Sequence, residues 1–502
     1  MKKFAVVILI AILIFPQKTL AKSFTFGDTT FNAENEEQDI NPHSTYCGWA
    51  CIRYGVGETL FRYSDEMEIE PWLAMGYERT DELTWKIHLR DGVRFTSGRY
   101  MDAESVKECL EHLIENHVRA RVDLAIDKLI ADGQTLIIKT SEPKPALLNY
   151  LSDPYGCVID VRAGFTDGIV SGTGPYKAVS LTTDERLELV KNGNYWNGLP
   201  KVDKITVLTI SDGDTLTMAL QSGTIDAAYG LPYASYPLFK GCYNFTSAAT
   251  SRAFFMWFNF QSYITSDLSV RKAIAMGIDK TGFVNVLLDG NGYVATGPFP
   301  NNFTFGGENL AAPAYNPEAA KKLLEDAGWR DSDSDGIREK DGQKLKIRWL
   351  TYPSRQELPL LAEYAQATLK QIGIDVSINC TADVNSIRTD TSKWDVYASA
   401  MVTCPTGDPE YFFTSCTLSS SAANNGKYHN DALEELARNM SNTFGDEKRA
   451  ALAVKMQQTI LDDVGYVFCS HLQMSMVSRS GITGLKAHPC DFYELTADLD
   501  VN

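Results

Sequence analysis

The chain has 502 residues, of which 44% are hydrophobic and 22% charged, and its formal net charge is −17. An acidic chain without a basic stripe repels the phosphate backbone, which argues against nucleic acid as a partner. One hydrophobic core rarely serves so many residues, so we expect at least two domains.

The first 21 residues have the pattern of a cleaved secretory signal. Lys2 and Lys3 precede an apolar run over residues 4–15, and Thr19 and Ala21 occupy the positions that a signal peptidase reads. The run is shorter than the ~20 residues of a membrane-spanning helix. Since no cysteine precedes Cys47, no lipid can be attached at the cleavage site. The sequence therefore predicts a free, soluble periplasmic protein with a mature charge of about −20, because three lysines leave with the signal.

The chain contains ten cysteines, and an even number in an oxidising compartment permits disulfides. Cys47 lies close in sequence to Cys51, but spacing does not assign any pairing. We expect a mixture of disulfides and buried free thiols. Because no C-x-x-C pair occurs, the pattern does not favour a metal site made of thiolates.

The first half of the chain alternates between strand-like and helix-like segments. Residues 85–90 alternate with period two, which predicts a half-buried strand. A helix is expected after Asp102, which can cap it. Further strands are expected over residues 135–140 and 204–210, followed by a helix over 214–221.

The second half has its own β-α-β rhythm, which predicts a second α/β domain. The strongly apolar segment 251–260 is typical of a deeply buried strand. The other expected elements are strands over 344–352, 375–380 and 472–477, and helices over 268–278, 317–327 and 358–372.

A series of short motifs carries a resemblance to a known family. They are EPWLA (70–74), WKIHLRDGVRF (85–95), DAESV (102–106), GTGPY (172–176), NYWNG (194–198), WFNF (257–260), VRKAI (270–274), IDK (278–280), YNPE (315–318), LLEDAG (323–328), QIGI (371–374) and GDP (407–409). In this order they resemble family 5 of the bacterial extracellular solute-binding proteins, the oligopeptide-, dipeptide- and nickel-binding group. The resemblance runs from about residue 40 to 480.

The resemblance implies an α/β, two-lobed periplasmic binding protein fold (type II, cluster C-like) that encloses its ligand between the lobes. Two crossing segments are expected near residues 250–259 and 474–480. Lobe I then comprises residues 22–249 and 477–502, and lobe II comprises residues 250–476.

The function implied by the resemblance is capture of a nickel or other metal chelate, or of a short peptide, for the permease subunits of an ABC importer. A monomer without a cofactor is expected, with a nickel chelate only as cargo. The chain has no G-x-x-x-x-G-K-[ST] loop, so ATP hydrolysis belongs to a separate subunit.

Two arginines are candidates for contacts with an anionic ligand. Arg119 matches an arginine of the nickel-binding branch that meets a carboxylate of the metal's organic chelator, and a guanidinium suits that task. Arg388 stands where that branch has an aromatic contact, and it would add a second cation. For both residues the alternative is a surface role.

Tyr46 and Trp49 belong to a segment that reaches the cleft in relatives, where aromatic walls suit an organic ligand. Packing within lobe I is the alternative. Asp408 matches an aspartate that pairs with the ligand's amino group in peptide-binding relatives, the alternative being a turn before Pro409. The nickel branch often carries Trp and Tyr just ahead of this aspartate, whereas residues 403–407 here are TCPTG.

Two further patterns concern metal ions. His429 and His471 are candidates to complete nickel coordination, although neither has a recognisable ligand spacing. DSDSDG at residues 331–336 resembles the start of a calcium loop, but Gly342 stands where the bidentate Glu should be. A solvated turn and a weak cation site are both open.

The alternative functions are a secreted hydrolase and a ligand sensor or chaperone without transport. We expect no enzyme activity, because the chain has no G-x-S-x-G elbow and no H-E-x-x-H helix. Peptide and nickel chelate both remain open as cargo, because Arg119 favours a small anionic chelate and the altered stretch before Asp408 argues against it.

Overall fold

The computed structural model describes residues 21–31, 39–44 and 48–502. Almost all of the predicted signal therefore lies outside the described residues. The strands are β1 (Ser23–Asp28), β2 (Phe61–Tyr63), β3 (Ile69–Pro71), β4 (Ala74–Arg79), β5 (Thr84–Leu89), β6 (Ile126–Asp132), β7 (Thr135–Thr140), β8 (Tyr176–Thr182), β9 (Arg186–Lys191), β10 (Lys204–Thr209), β11 (Ala227–Tyr229), β12 (Tyr243–Phe258), β13 (Gly292–Val294), β14 (Glu339–Lys340), β15 (Gln343–Lys344), β16 (Lys346–Thr351), β17 (Asp375–Cys380), β18 (Val396–Val402), β19 (Tyr466–Arg479), β20 (Ile482–Thr483) and β21 (Asp500–Val501).

The α-helices contribute part of the buried apolar core of each lobe. They are α1 (Gly48–Arg53), α2 (Ala103–Asn116), α3 (Ala120–Leu124), α4 (Leu147–Tyr150), α5 (Gly213–Ser222), α6 (Leu268–Gly277), α7 (Lys280–Gly282), α8 (Pro317–Asp326), α9 (Glu357–Lys370), α10 (Val384–Arg388), α11 (Glu410–Phe412), α12 (Asp431–Met440) and α13 (Asp446–Asp462). In the described part of the chain, no helix is long and apolar enough to cross a membrane.

One mixed sheet runs through both halves of the molecule. Its order is β17-β16-β18-β12-β19-β11-β1-β10-β9-β8, with β13 paired to the side of β19. The strands β17, β16 and β18 belong to lobe II, whereas β11, β1, β10, β9 and β8 belong to lobe I. The antiparallel pair β12 and β19 lies between them, so these two strands connect the lobes.

The pairing of β12 with β19 changes register where the chain passes between the lobes. Residues 243–249 of β12 pair with residues 473–479, and residues 253–257 pair with residues 466–471. Between them the Thr250 hydroxyl donates to the Leu472 carbonyl oxygen at 3.0 Å. A bulge bends a strand and increases its twist, so this irregularity positions one half of the sheet against the other. It lies at the first predicted boundary and a few residues before the second.

Lobe I contains a second, smaller sheet of order β4-β5-β7-β6. It buries Trp85, Ile87 and Ile138 against α2. Asp102 caps α2 in a capping box, since its carboxylate accepts from the Ser105 amide at 2.8 Å and the Ser105 hydroxyl accepts from the Asp102 amide at 2.9 Å. The predicted cap of this helix is therefore confirmed.

The acidic turn at residues 331–335 is exposed, and its three carboxylates lie within 4.8 Å of one another. The Lys344 ammonium pairs with both Asp333 and Asp335. An internal cation thus already neutralises part of this cluster, in keeping with a solvated turn.

Candidate ligand-binding site

A cavity of about 330 Å³ lies where the two lobes face each other. We call it the interlobe cavity. Lobe I and the C-terminal segment contribute side chains from α1, from residues 153–155 and from residues 490–492, while lobe II contributes side chains from β12, from the loop before α9 and from the end of β18. The charged side chains on its walls are those of Arg53, Arg119, Arg252, Arg355, Asp153 and Asp491. Four guanidinium groups and two carboxylates thus line the walls, and Asp28 and Asp123 behind the walls pair with Arg53 and Arg119 as well.

Asp491 holds three other side chains together on the lobe I side of the cavity. Its carboxylate pairs with Arg53 at 3.2 Å and with Arg252 at 3.1 Å, and it accepts from the Tyr229 hydroxyl at 2.7 Å. Burial opposes ionisation of this carboxyl, but the two arginines outweigh it and hold its pKa below the ordinary value. Because Arg252 lies on β12 and Asp491 in the C-terminal segment, this cluster joins both sides of the cavity.

Arg53 is held from every side at the end of α1. Its guanidinium pairs with Asp28 at 3.1 Å and with Glu494 at 3.5 Å, in addition to Asp491. It also lies 4.1 Å from the ring centroid of Trp49. Because three carboxylates already contact this guanidinium, few of its N–H groups remain to bind a ligand. Arg53 therefore contributes to the shape and the electrostatic potential of the cavity.

Arg355 differs from these cations. It lies half-buried in the loop before α9 and lines the interlobe cavity from lobe II. Within residues 21–31, 39–44 and 48–502, its guanidinium makes no hydrogen bond or ion pair. Its charge nevertheless reaches across the cavity: it helps to hold the pKa of the Asp491 carboxyl below its ordinary value. At Tyr229, burial raises the pKa of the hydroxyl, and the charge of Arg355 offsets only part of that rise. Five N–H donors thus face the cavity with no acceptor in the described chain.

Arg119, a predicted ligand contact, does lie in the interlobe cavity. Its guanidinium pairs with Asp153 at 3.1 Å and with Asp123 at 3.2 Å, and it faces the rings of Tyr155 and Tyr411 at 5.3 and 5.2 Å. Two carboxylates therefore compete with any ligand for this cation. A contact between Arg119 and a ligand carboxylate stays a prediction.

Trp49 also lines the interlobe cavity, as its predicted role requires. It is half-buried on α1 and packs edge-on against Phe31 and Tyr54, with ring centroids 6.2 Å away in each case. Trp49 thus lines the cavity and also packs within lobe I, so both interpretations of the sequence describe it. Tyr46 lies outside the described residues.

Asp408 lies elsewhere, inside lobe II. Both of its carboxylate oxygens accept from Arg449, at 2.7 and 2.6 Å, and one also accepts from the Glu410 amide at 2.9 Å. Only 7% of the residue is exposed, and it is not among the residues that line the cavity. Its geometry is that of a buried ion pair next to a turn, the alternative stated from the sequence. A role in binding an amino group stays a prediction without a contact to support it.

Arg388 and the two candidate histidines do not line the interlobe cavity either. Arg388 ends α10, where its carbonyl oxygen accepts from the Trp394 indole at 3.1 Å. His429 is exposed and lies 3.1 Å from Asp431, a surface arrangement. His471 is buried within β19, and burial lowers its pKa to about 4. Nickel coordination by either histidine stays untested.

Two other cavities were compared with the interlobe cavity. One of about 350 Å³ adjoins it at the crossing strands and shares Tyr229 and Arg355 with it. The other, about 860 Å³, is lined by lobe I and the C-terminal segment alone. Closure of the lobes cannot enclose a ligand in a cavity that lies within one lobe. The interlobe cavity has walls from both lobes and is therefore favoured over the lobe I cavity.

Five charged residues of the site were missed from the sequence: Arg53, Asp153, Arg252, Arg355 and Asp491. One signal was available, because Arg252 interrupts the strongly apolar run predicted as a crossing strand. A charge in such a strand needs a buried partner or a ligand. The partner, Asp491, is 239 residues away in sequence, and local patterns do not report such pairs.

The chain was also compared with known proteins. The profile of the bacterial extracellular solute-binding proteins, family 5 Middle, matches residues 68–424. The nickel-binding protein NikA of Staphylococcus aureus is 27% identical over 445 residues, covering 88% of each chain. The nickel-binding periplasmic protein of Escherichia coli is 27% identical over 473 residues, 90% of each chain. The glutathione-binding protein GsiB of Salmonella paratyphi A is 29% identical over 338 residues, 64% of this chain and 62% of GsiB.

The crystal structure of Staphylococcus aureus NikA in complex with Ni(L-His)2 superposes with a TM-score of 0.82 at 25% identity. The match covers 96% of this chain and 100% of NikA. The expected two-lobed α/β fold is thereby confirmed. The chain belongs to family 5 of the bacterial extracellular solute-binding proteins, the substrate-binding proteins of ABC importers.

Proposed function

We propose that this protein captures a small carboxylate-bearing ligand in the interlobe cavity and delivers it to the permease of an ABC importer. The observation that carries the proposal is Arg355, a guanidinium on the cavity wall that no acceptor in the described chain engages. Arginine binds a carboxylate through two parallel hydrogen bonds, and such a pair is strongest where water is excluded.

A metal chelate with a small organic chelator is the favoured cargo. A cavity of about 330 Å³ is at the low end for small-molecule sites, which suits a compact ligand better than an extended chain. The Staphylococcus aureus relative is described with Ni(L-His)2, whose histidine ligands carry carboxylates. A nickel or other metal chelate of this kind therefore offers a carboxylate to Arg355 and has a size that suits the cavity.

A short peptide is the second candidate, and the adjoining cavity of about 350 Å³ supports it. Since both cavities include Tyr229 and Arg355, a ligand anchored at Arg355 has room to extend toward the crossing strands. The GsiB relative is described as glutathione-binding, and glutathione is a short peptide with two carboxylates.

Binding without turnover fits the family, whose members and structural neighbours are binding proteins. We therefore infer that the chain is not an enzyme, and we propose that it acts as a monomer after export through its N-terminal signal. Closure of the two lobes removes the ligand from water and creates the surface that a permease recognises.

Mass spectrometry of the purified protein under native conditions, together with metal analysis, tests this proposal. We expect a bound small molecule that carries a carboxylate, with about one equivalent of metal for a chelate and none for a peptide. Isothermal titration of ligand-stripped protein with Ni(II) plus L-histidine, and separately with glutathione, then ranks the two classes. A ligand without a carboxylate, or hydrolysis of added peptides by the protein, would overturn the assignment.

A further inference from the structure

Two buried thiols face each other in lobe I. Cys51 lies on α1 and Cys157 follows the turn Pro154–Gly156, and both are 0% exposed. A Cβ atom placed on Gly57 would lie 2.6 Å from the Cys51 sulfur and 3.2 Å from the Cys157 sulfur. The two sulfur atoms thus flank the same point, and the two thiols lie within hydrogen-bonding reach.

The backbone holds the two segments side by side at this point. Gly48, at the start of α1, contacts the main chain of Pro154 so closely that an added Cβ would lie 2.3 Å from its carbonyl carbon. On the other side of the thiols, the Val158 amide donates to the Glu58 carbonyl oxygen at 2.8 Å. Contacts before and after the two cysteines therefore fix their separation.

The third thiol of this region points to other partners. The Cys109 thiol lies 3.7 Å from the Cys157 carbonyl oxygen and 3.8 Å from a ring nitrogen of His43, and it accepts from the Ile159 amide at 3.3 Å. It is therefore engaged with backbone and imidazole, whereas Cys51 and Cys157 lie against each other.

We propose that Cys51 and Cys157 form a disulfide in the exported protein. The two thiols lose two protons and two electrons as the S–S bond forms, and a protein-borne disulfide of a thiol oxidase accepts both electrons and becomes a dithiol. The reaction precedes closure of lobe I, because thiol–disulfide exchange needs an accessible thiolate. In the folded chain burial raises the pKa of the Cys157 thiol, which opposes later reaction.

The bond would fix one wall of the interlobe cavity, a consequence that rests on the proposed function. Trp49 and Arg53 lie on the same helix as Cys51, and Asp153 and Tyr155 lie in the segment that leads to Cys157. A covalent link between these segments pre-organises the aromatic and charged groups that face the ligand, which lowers the cost of ordering them on binding.

Peptide mapping of the exported protein, alkylated while unfolded and without reductant, tests the bond and needs no ligand. We expect a Cys51–Cys157 cross-linked peptide that separates on reduction, and the same peptide in the Cys109→Ala variant. Alkylated Cys51 and Cys157, or a link between Cys51 and Cys47, would contradict the proposal.

Hydrogen exchange of the same protein tests the consequence for the cavity wall. Wild type that is reduced while unfolded and then refolded in reductant is expected to exchange faster at residues 48–53 and 154–158 than the cross-linked wild type. The Cys51→Ala/Cys157→Ala double variant is expected to exchange alike after both treatments. Equal exchange in the cross-linked and the reduced wild type would show that the bond does not fix this wall.

Discussion

The four arginines of the interlobe cavity differ in what neutralises them. Arg53 pairs with Asp28 and shares Asp491 with Arg252, and Arg119 has Asp153 and Asp123. Removal of Arg53 or Arg119 therefore leaves a carboxylate without its cation, and removal of Arg252 leaves Asp491 with Arg53 alone. Such a change destabilises the fold and the site together. Arg355 has no such partner among the residues that the structure describes, so its effect on binding can be measured separately.

We therefore expect Arg355→Gln to weaken binding of the co-purified ligand by about 10- to 100-fold, since a hydrogen bond to a charged group contributes about 1.5–3 kcal/mol. The free energy of unfolding should stay within ~0.5 kcal/mol of the wild type. Calorimetric titration and urea unfolding measure the two quantities. Arg438→Gln, a change at an exposed arginine of α12, is the matched control and should alter neither. Unchanged affinity in Arg355→Gln would remove the main support for an anionic cargo.

Glu494 makes the stability of the protein depend on pH. Burial raises its pKa to about 8, although Arg53 at 3.5 Å opposes the shift. The folded state therefore holds a proton that the unfolded chain releases near pH 4.5. Stability from this group is complete below that pH and declines as the pH rises toward 8, by at most about 1.4 kcal/mol per pH unit.

The variant Glu494→Gln keeps the shape of the side chain and cannot ionise. Urea unfolding at pH 5, 6.5 and 8 should therefore show a shallower decline in the free energy of unfolding for this variant than for the wild type. Parallel curves for the two proteins would mean that Glu494 does not titrate in this range.

Sequence patterns predicted only those residues of the site that lie in recognisable family motifs. Trp49 and Arg119 lie in segments with a recognisable family pattern, and both line the cavity. Arg355 and Asp491 lie in loops, where no periodicity indicates which way a side chain points. Asp408 matched a family position, yet its pairing with Arg449 depends on a residue 41 positions away.

At the scale of elements, the crossing pair β12 and β19 decides how the lobes are related. Thr250 stabilises the register irregularity, since its hydroxyl donates to the Leu472 carbonyl and accepts from the Arg252 amide at 3.2 Å. Thr250 is 3% exposed, so solvent cannot replace these bonds. The same bonds place Arg252 beside Asp491.

Thr250→Val keeps the volume of the side chain and removes both hydrogen bonds. We expect a loss of about 1–3 kcal/mol in the free energy of unfolding, because a buried amide and a buried carbonyl lose a partner. Urea unfolding measures it. The control Thr389→Val removes an exposed hydroxyl bond to the Ser386 carbonyl and should cost far less. A cost for Thr250→Val no larger than that of the control would show that the irregularity does not depend on this hydroxyl.

Strands and helices were predicted correctly where the hydrophobic periodicity lies within one short segment of the chain. The strand expected over residues 375–380 coincides with β17, and the helix expected over 268–278 ends one residue later than α6 does. The apolar run 251–260 indicated only the lobe II half of β12, because residues 243–249 are polar or half-buried. Pairing with β19, a long-range contact, extends that strand backward into lobe I.

At the scale of the whole molecule, the lobes also contact each other outside the crossing strands. The Asn149 amide of lobe I donates to the Thr406 carbonyl oxygen of lobe II at 2.7 Å. Farther out, the Arg79 guanidinium of lobe I lies 3.7 Å from the ring centroid of Phe444 in lobe II. These contacts join surfaces that separate when the lobes open, so they favour the closed arrangement.

Phe444→Ala should therefore weaken ligand binding without any change in the cavity itself. An exposed cation–π contact contributes about 0.5–1 kcal/mol, and affinity falls with the population of the closed state, so a loss of roughly two- to fivefold is expected. Stopped-flow measurements should place the change mainly in faster dissociation. Affinity equal to that of the wild type would show that this contact does not contribute to closure.

The central claim is that a small carboxylate-bearing ligand is enclosed between the lobes with its carboxylate on Arg355. A crystal structure of the protein with its co-purified ligand tests this most directly. The account predicts ligand density in the interlobe cavity, with a carboxylate at hydrogen-bonding distance from the Arg355 guanidinium and Trp49 along one side. A ligand in the lobe I cavity, or one that leaves Arg355 without a contact, would contradict it.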